Sequence, residues 1–218
     1  MLLQQSVQDE LNVSEALRTV SMAAGVLGLL TVLMATLVYF PEHPEFSPLN
    51  TFLSDIGDTP GWPQVLFNSG MLIAAPLRYL VLVLFARRMW QLGAGRKFGA
   101  AVLIIGFIAT FGTVAMTAVP FSIAPVMHKS GIGMYFLGVV FLQSIIFVKE
   151  WSMKELPRIL PLISIILVAI FLTFLGMFLL YEFEVIGRTM AVVTEWLCAL
   201  TSLVWVFVHG SVLGRNIE

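Results

Sequence analysis

Charge is what this sequence has least of. Twelve Lys or Arg and thirteen Asp or Glu make up only 11% of 218 residues, while 59% are hydrophobic and the mean hydropathy is +0.95. A soluble domain carries about a quarter charged residues. So few charges cannot clothe a water-facing surface, and a bilayer is the solvent this composition fits. The net charge of −1 leaves no basic patch, which argues against nucleic acid as a partner. The single cysteine, Cys198, excludes an internal disulfide and, standing inside an apolar run, says nothing about redox compartment. A P-loop, a dinucleotide-binding glycine pattern and an HExxH helix are all missing, so no cofactor is expected. The N-terminus carries Asp9, Glu10 and Glu15 where a signal peptide has a basic region, so no cleavable leader is expected.

Long apolar runs are what the chain has in abundance. A helix needs about 20 apolar residues to cross a bilayer. Six segments qualify, at 20–40, 65–86, 98–120, 129–148, 159–181 and 190–212. Their links are short, which favours antiparallel neighbours in one bundle. The expected fold is therefore all-α: a polytopic membrane protein with a six-helix transmembrane domain over residues 20–212. Residues 1–19 read as an N-terminal interfacial segment, an amphipathic surface helix with Ser14 as a candidate cap, and 213–218 as a C-terminal tail. No span pair carries the matched broken-helix signature of a transporter.

Lys and Arg set the expected orientation. Arg87, Arg88, Arg96 and Lys97 lie between spans two and three, Lys149, Lys154 and Arg158 between four and five, and Arg215 after six. The other side has only Lys129 and Arg188, against Glu42, Glu45, Asp55, Asp58, Glu182 and Glu184. Both termini are thus expected in the cytoplasm. Trp62, Trp90, Trp151 and Tyr181, near span ends, read as interfacial anchors.

The first outer loop contains "NTFLSDIGDTPGW", residues 50–62. Ser47-Pro48 looks like an N-cap followed by a proline at the first helical position, with a short helix to about Ser54 ending at Gly57. Asp58-Thr59-Pro60-Gly61 would turn the chain, and Pro63 would open the second span. Asp55 and Asp58 read either as turn caps or as part of a site. They share a face of the membrane with His43, with His128 at the start of span four, and with Glu195. The last is about five residues into span six, roughly 8 Å below the surface at 1.5 Å per residue. Arg78, a little over halfway along span two, is the second deep charge. Its side chain leans toward the same face, because side chains tilt toward their helix N-terminus. An Arg78–Glu195 pair, or a polar pocket holding both, would make the two tolerable in a membrane. Asn68 lies one turn below the loop. Thr113 and Thr117 are expected to bond their own backbone, and Gly131, Gly133 and Gly138 to let span four approach a neighbour closely.

No metal site is required by the spacing. His43, His128 and Asp55 are chemically allowed zinc ligands and nothing more, and His209 lies at the opposite end of span six.

"SDIGDTP", "HKSG" and "TEW" appear here in the order found in the six-span DNA-damage-regulated autophagy modulators and the allied post-GPI-attachment remodelling proteins. The positions are Ser54, Asp55, Gly57, Pro60, His128, Gly131, Glu195 and Trp196. Where the remodelling branch has Ala-Pro-Arg, this chain reads Ala75-Pro76-Leu77-Arg78. "SPLNTFLSDIG" followed by "VLFNSG" also resembles a prokaryotic six-span family of unknown function. The resemblance covers about residues 20–212 and implies six helices with a polar cluster at the outer face, in a prokaryotic inner membrane.

Three functional expectations follow. The first is an outer-face pocket for a lipid head group or small polar ligand, with Asp55, Asp58, Asn68, Arg78, His128 and Glu195 as candidates and membrane lipids as partners. The second is an accessory subunit of a larger membrane complex. The third is a metal-dependent lipid hydrolase using His128 with Asp55 or Asp58.

Overall fold

A computed structural model describes the backbone of residues 2–118 and 121–215, and within those ranges side chains from Asn12 onward. Six long helices carry the chain across: α1 (Leu2–Tyr39), α3 (Trp62–Gln91), α4 (Arg96–Ala118), α5 (Pro125–Ser152), α6 (Ile159–Glu182) and α7 (Arg188–Leu213), with the short α2 (Leu53–Asp58) between the first two. No strand occurs among the described residues. All six long helices are long and apolar enough to span a bilayer, so the chain is a multi-pass membrane protein.

Proline sets several helix starts. Pro63 and Pro125 each sit in a first turn, where a missing N–H costs nothing. Helix α5 therefore opens at Pro125, a turn earlier than expected, and His128 lies inside it rather than at its start. Residues 119 and 120, the expected end of the third span, and 216–218 of the expected tail lie outside the described residues. So do the side chains of 1–11, on which the amphipathic character of the first segment depends. The backbone of that segment does not form a separate helix. Helix α1 runs unbroken from Leu2, because no proline or glycine interrupts residues 2–24. Ser14, expected as a cap, is mid-helix and buried with Val13 and Leu17. Leu17, Arg18 and Ser21 pack against Gly210 of α7 and Gly214 at its C-cap.

The long helices form a closed ring: α1 packs on α3, α3 on α4, α4 on α5, α5 on α6, α6 on α7, and α7 returns to α1. Close approach depends on small residues, as expected where lipid gives no hydrophobic drive to pack. A Cβ on Gly131 would lie 2.6 Å from the Met116 nitrogen, and one on Gly138 would lie 2.9 Å from the Ala109 Cβ. Gly133 does not share this role; a Cβ there would meet nothing within 4 Å. The tightly filled half of the ring lies away from α2, around Leu17, Phe85, Met89, Ile146, Leu160 and Leu213. The half under α2 is hollow.

Candidate functional site

The loop helix starts five residues later than the Ser47-Pro48 signal suggests, at Leu53 with Phe52 as its N-cap. Ser47 is used in a turn, where its amide donates to Asn50 Oδ1 (3.0 Å) and its hydroxyl accepts from the Leu49 amide (3.2 Å). Asp55 starts the helix instead, its Oδ2 accepting the Phe52 amide at 2.9 Å. The unpaired amides of a helix start need acceptors, and α7 supplies the next one: Glu195 Oε2 accepts the Leu53 amide at 2.6 Å. Trp196 Nε1 donates to the Thr51 carbonyl at 2.9 Å. Arg188 pairs with Asp55 and lies over the Phe52 ring at 5.0 Å.

The other end of α2 is held as well. Asn68 Nδ2 donates to the Gly57 carbonyl at 2.8 Å, and Asp58 Oδ1 accepts both the amide (3.1 Å) and hydroxyl (2.8 Å) of Ser122. Gly57 is inside the helix, not its terminator. It is small because a Cβ would stand 2.7 Å from Phe67 Cδ1 and 2.9 Å from Asn68 Oδ1. The positive φ of 106° belongs to Gly61, next to Pro60. The short helix is thus strapped across the ring by side chains from α3, α7 and the α4–α5 link.

Beneath it lies a cavity of about 140 Å³ reached by all seven helices. Asp58, Asn68, Thr117, His128 and Glu195 line it toward α2, and Tyr135, Ser202 and Arg78 line it deeper. Between them the walls are apolar, with Val32, Met71, Ile132, Phe136, Phe174 and Phe178. Asp55 does not reach this space. The expected Arg78–Glu195 ion pair does not form among the described contacts, because the Glu195 carboxylate is drawn up to the amides of α2. Arg78 instead leaves its Nη2 buried with no hydrogen-bond partner. A second cavity, of about 90 Å³, shares Arg78, Tyr135 and Ser202 with the first.

The loop residues of α2 and the α7 residues Glu195 and Trp196 thus meet at one end of the bundle. The profile of the Frag1/DRAM/Sfk1/Cwh43P N-terminal domain matches residues 13–211. The chain belongs to this family. No curated protein and no solved structure matches it.

In this Frag1/DRAM/Sfk1 chain the three weak metal candidates are dispersed. His43 stacks on Tyr39 at 4.0 Å and its Nδ1 lies 3.4 Å from Glu45 Oε1. Asp55 is held by Arg188, and His128 lines the cavity edge-on to Phe121 at 5.6 Å. Among the described residues no three His, Cys, Asp or Glu side chains gather as metal ligands.

One polar cluster escapes sequence reasoning. At the end opposite α2, Glu150 and His209 are fully buried, with His209 Nε2 2.9 Å from Glu150 Oε1. Ser164 donates its hydroxyl to Glu150 Oε2 at 3.1 Å and accepts from Trp205 Nε1 at 3.1 Å. His209 Nδ1 lies 3.0 Å from the Trp205 carbonyl, which closes a ring of hydrogen bonds. Since that carbonyl can only accept, Nδ1 carries a hydrogen, and the contact with Glu150 needs one more proton, on Nε2 or on the carboxyl. Nearby, Arg88 is buried and its Nε donates to the Leu213 carbonyl at 3.2 Å. The signal was positional: Glu150 closes α5 and His209 nears the end of α7, so both reach the same end of the bundle.

Proposed function

We propose that this membrane protein binds a lipid head group, or a small polar molecule of similar size, in the cavity beneath α2. The observation that carries the reading is the cavity's layering, polar below α2 and at Arg78, apolar between, inside a closed ring of spans. Ligand sites are concave, mostly apolar and furnished with a few polar groups that fix orientation, and an ionisable residue inside a membrane is a functional candidate by default. By the distribution of Lys and Arg the α2 end faces away from the cytoplasm, and the lipids of that leaflet are the nearest source of occupants. Of the two aspartates open to the hydrolase reading, Asp55 is committed to Arg188 and the Phe52 amide, and Asp58 Oδ1 accepts two hydrogen bonds from Ser122.

A variant that fills the cavity tests this. Ala199 lines it, and Ala199→Phe should yield folded protein from which the co-purifying lipid seen by mass spectrometry in wild type is missing. Identical lipid content in the two proteins would sink the proposal.

A further inference from the structure

The occupant's chemistry follows from which charges in the cavity are already matched. Glu195 accepts the Leu53 amide at 2.6 Å and Asp58 accepts two hydrogen bonds from Ser122. Those two are the carboxylates that line the cavity, and both serve to hold α2. Glu150 is spent at the far end on His209 and Ser164. Arg78 is different. It stands midway along α3, forms no ion pair among the described residues, and has a buried Nη2 without an acceptor. The side chains that share its part of the cavity, Tyr135 and Ser202, supply no carboxylate. Ser202 already donates its hydroxyl to the Cys198 carbonyl at 2.7 Å. A guanidinium left like this inside a membrane is costly, and what offsets the cost is an anion able to accept its N–H groups.

We infer that the occupant carries an anionic group, a carboxylate or phosphate, that seats on the Arg78 guanidinium, with a short apolar stretch against Met71, Ile132, Phe136 and Phe174. The inference rests on the reading of this cavity as a ligand site and narrows it to anionic amphiphiles. The volume of about 140 Å³ is close to the roughly 150 Å³ that accepts a benzene-sized guest. A head group with a few methylenes fits; two acyl chains do not, so the remainder of a lipid lies outside the ring. The acids at the α2 end do not forbid an anion at Arg78, because they stand at the other end of the cavity and already accept N–H and O–H donors through Glu195 Oε2 and Asp58 Oδ1.

Full-length protein in neutral detergent provides the test, with oleate, dioleoyl phosphatidic acid, dioleoylglycerol and inorganic phosphate as probes. Binding is read by native mass spectrometry and by the rise in melting temperature. Oleate and phosphatidic acid should bind wild type and raise its melting temperature, and Arg78→Gln should weaken both by roughly tenfold to a hundredfold, as for loss of a hydrogen bond to a charged group. Arg78→Lys should fall between them. Without ligand, Arg78→Gln should melt no lower than wild type, since it removes an unmatched buried charge; this separates lost binding from lost folding. If inorganic phosphate alone binds in an Arg78-dependent way and displaces oleate, the anion seat stands while its natural source is a free anion and the lipid reading falls. Equal retention of dioleoylglycerol and the acids by wild type, or unchanged acid binding in Arg78→Gln, overturns the inference and leaves the lipid reading intact.

Discussion

Arg78, Glu195 and Glu150 are all ionisable groups within the spans, and the fold treats each in its own way. Glu195 finds backbone amides, Glu150 finds a histidine and a serine, and Arg78 finds no acceptor. Only the last is left to interact with something from outside the chain. The Glu150–His209 contact joins α5 to α7 in the closely packed half, where burial makes it sensitive to losing one partner. Removing one member of a buried pair costs about 3–5 kcal/mol, whereas replacing both with apolar groups is close to neutral. Glu150→Leu should therefore lower stability by that order in reversible unfolding, and Glu150→Leu combined with His209→Phe should regain most of it. A silent single variant would show that the pair contributes little.

Helix α2 is the element on which the site depends, and six residues have too few hydrogen bonds of their own to be stable. Its position is imposed by Asn68, Asp58, Glu195, Trp196 and Arg188. The exposed Asp55–Arg188 pair contributes modestly, as surface pairs do; the contacts of Glu195 and Asn68 facing the cavity matter more. Cys198 reports on this, being the only cysteine in the chain, 2% exposed, and part of the cavity wall. Loss of one or two kcal/mol of fastening raises the open population about 5- to 30-fold. Asn68→Ala or Glu195→Ala should accelerate alkylation of Cys198 by N-ethylmaleimide by that order without lowering the melting temperature of the ring much. Unchanged alkylation in both variants would mean that α2 does not close the cavity.

For the molecule as a whole, the ends differ in charge, and orientation is the property that follows. Trp90 and Trp151, at the basic end, are exposed and lie under Arg96 and Arg158 at 5.3 and 5.0 Å. Such pairs suit a belt at the lipid–water boundary. Arg88 counts toward the basic end although it is buried, since its guanidinium caps the carbonyl ends of α7 there. The C-terminus is expected in the cytoplasm. A green fluorescent protein fused there should fluoresce and a periplasm-dependent alkaline phosphatase should stay inactive; the opposite pattern would reverse the assignment of α2 to the outer face.

Six spans, their approximate limits and the polar character of the α2 end were legible in the sequence, because hydropathy, proline and charge placement act locally along the chain. Which polar groups meet was not. In a bilayer the lipid-facing residues are as apolar as the buried ones: Leu29, Phe107 and Phe141 are exposed while Leu17, Phe85 and Phe171 are buried. Without an amphipathic stripe, the rotation of each helix leaves no trace in its own sequence. The motif residues Asp55 and Glu195 could be assigned to one face by the parity of the spans. That Glu195 would hold α2 rather than Arg78, and that Glu150 would meet His209, depended on six helices closing into a ring. The sequence by itself determined that charges would stand inside a membrane; the tertiary structure decided which of them would be left without a partner, because helix rotation and close approach choose the neighbours.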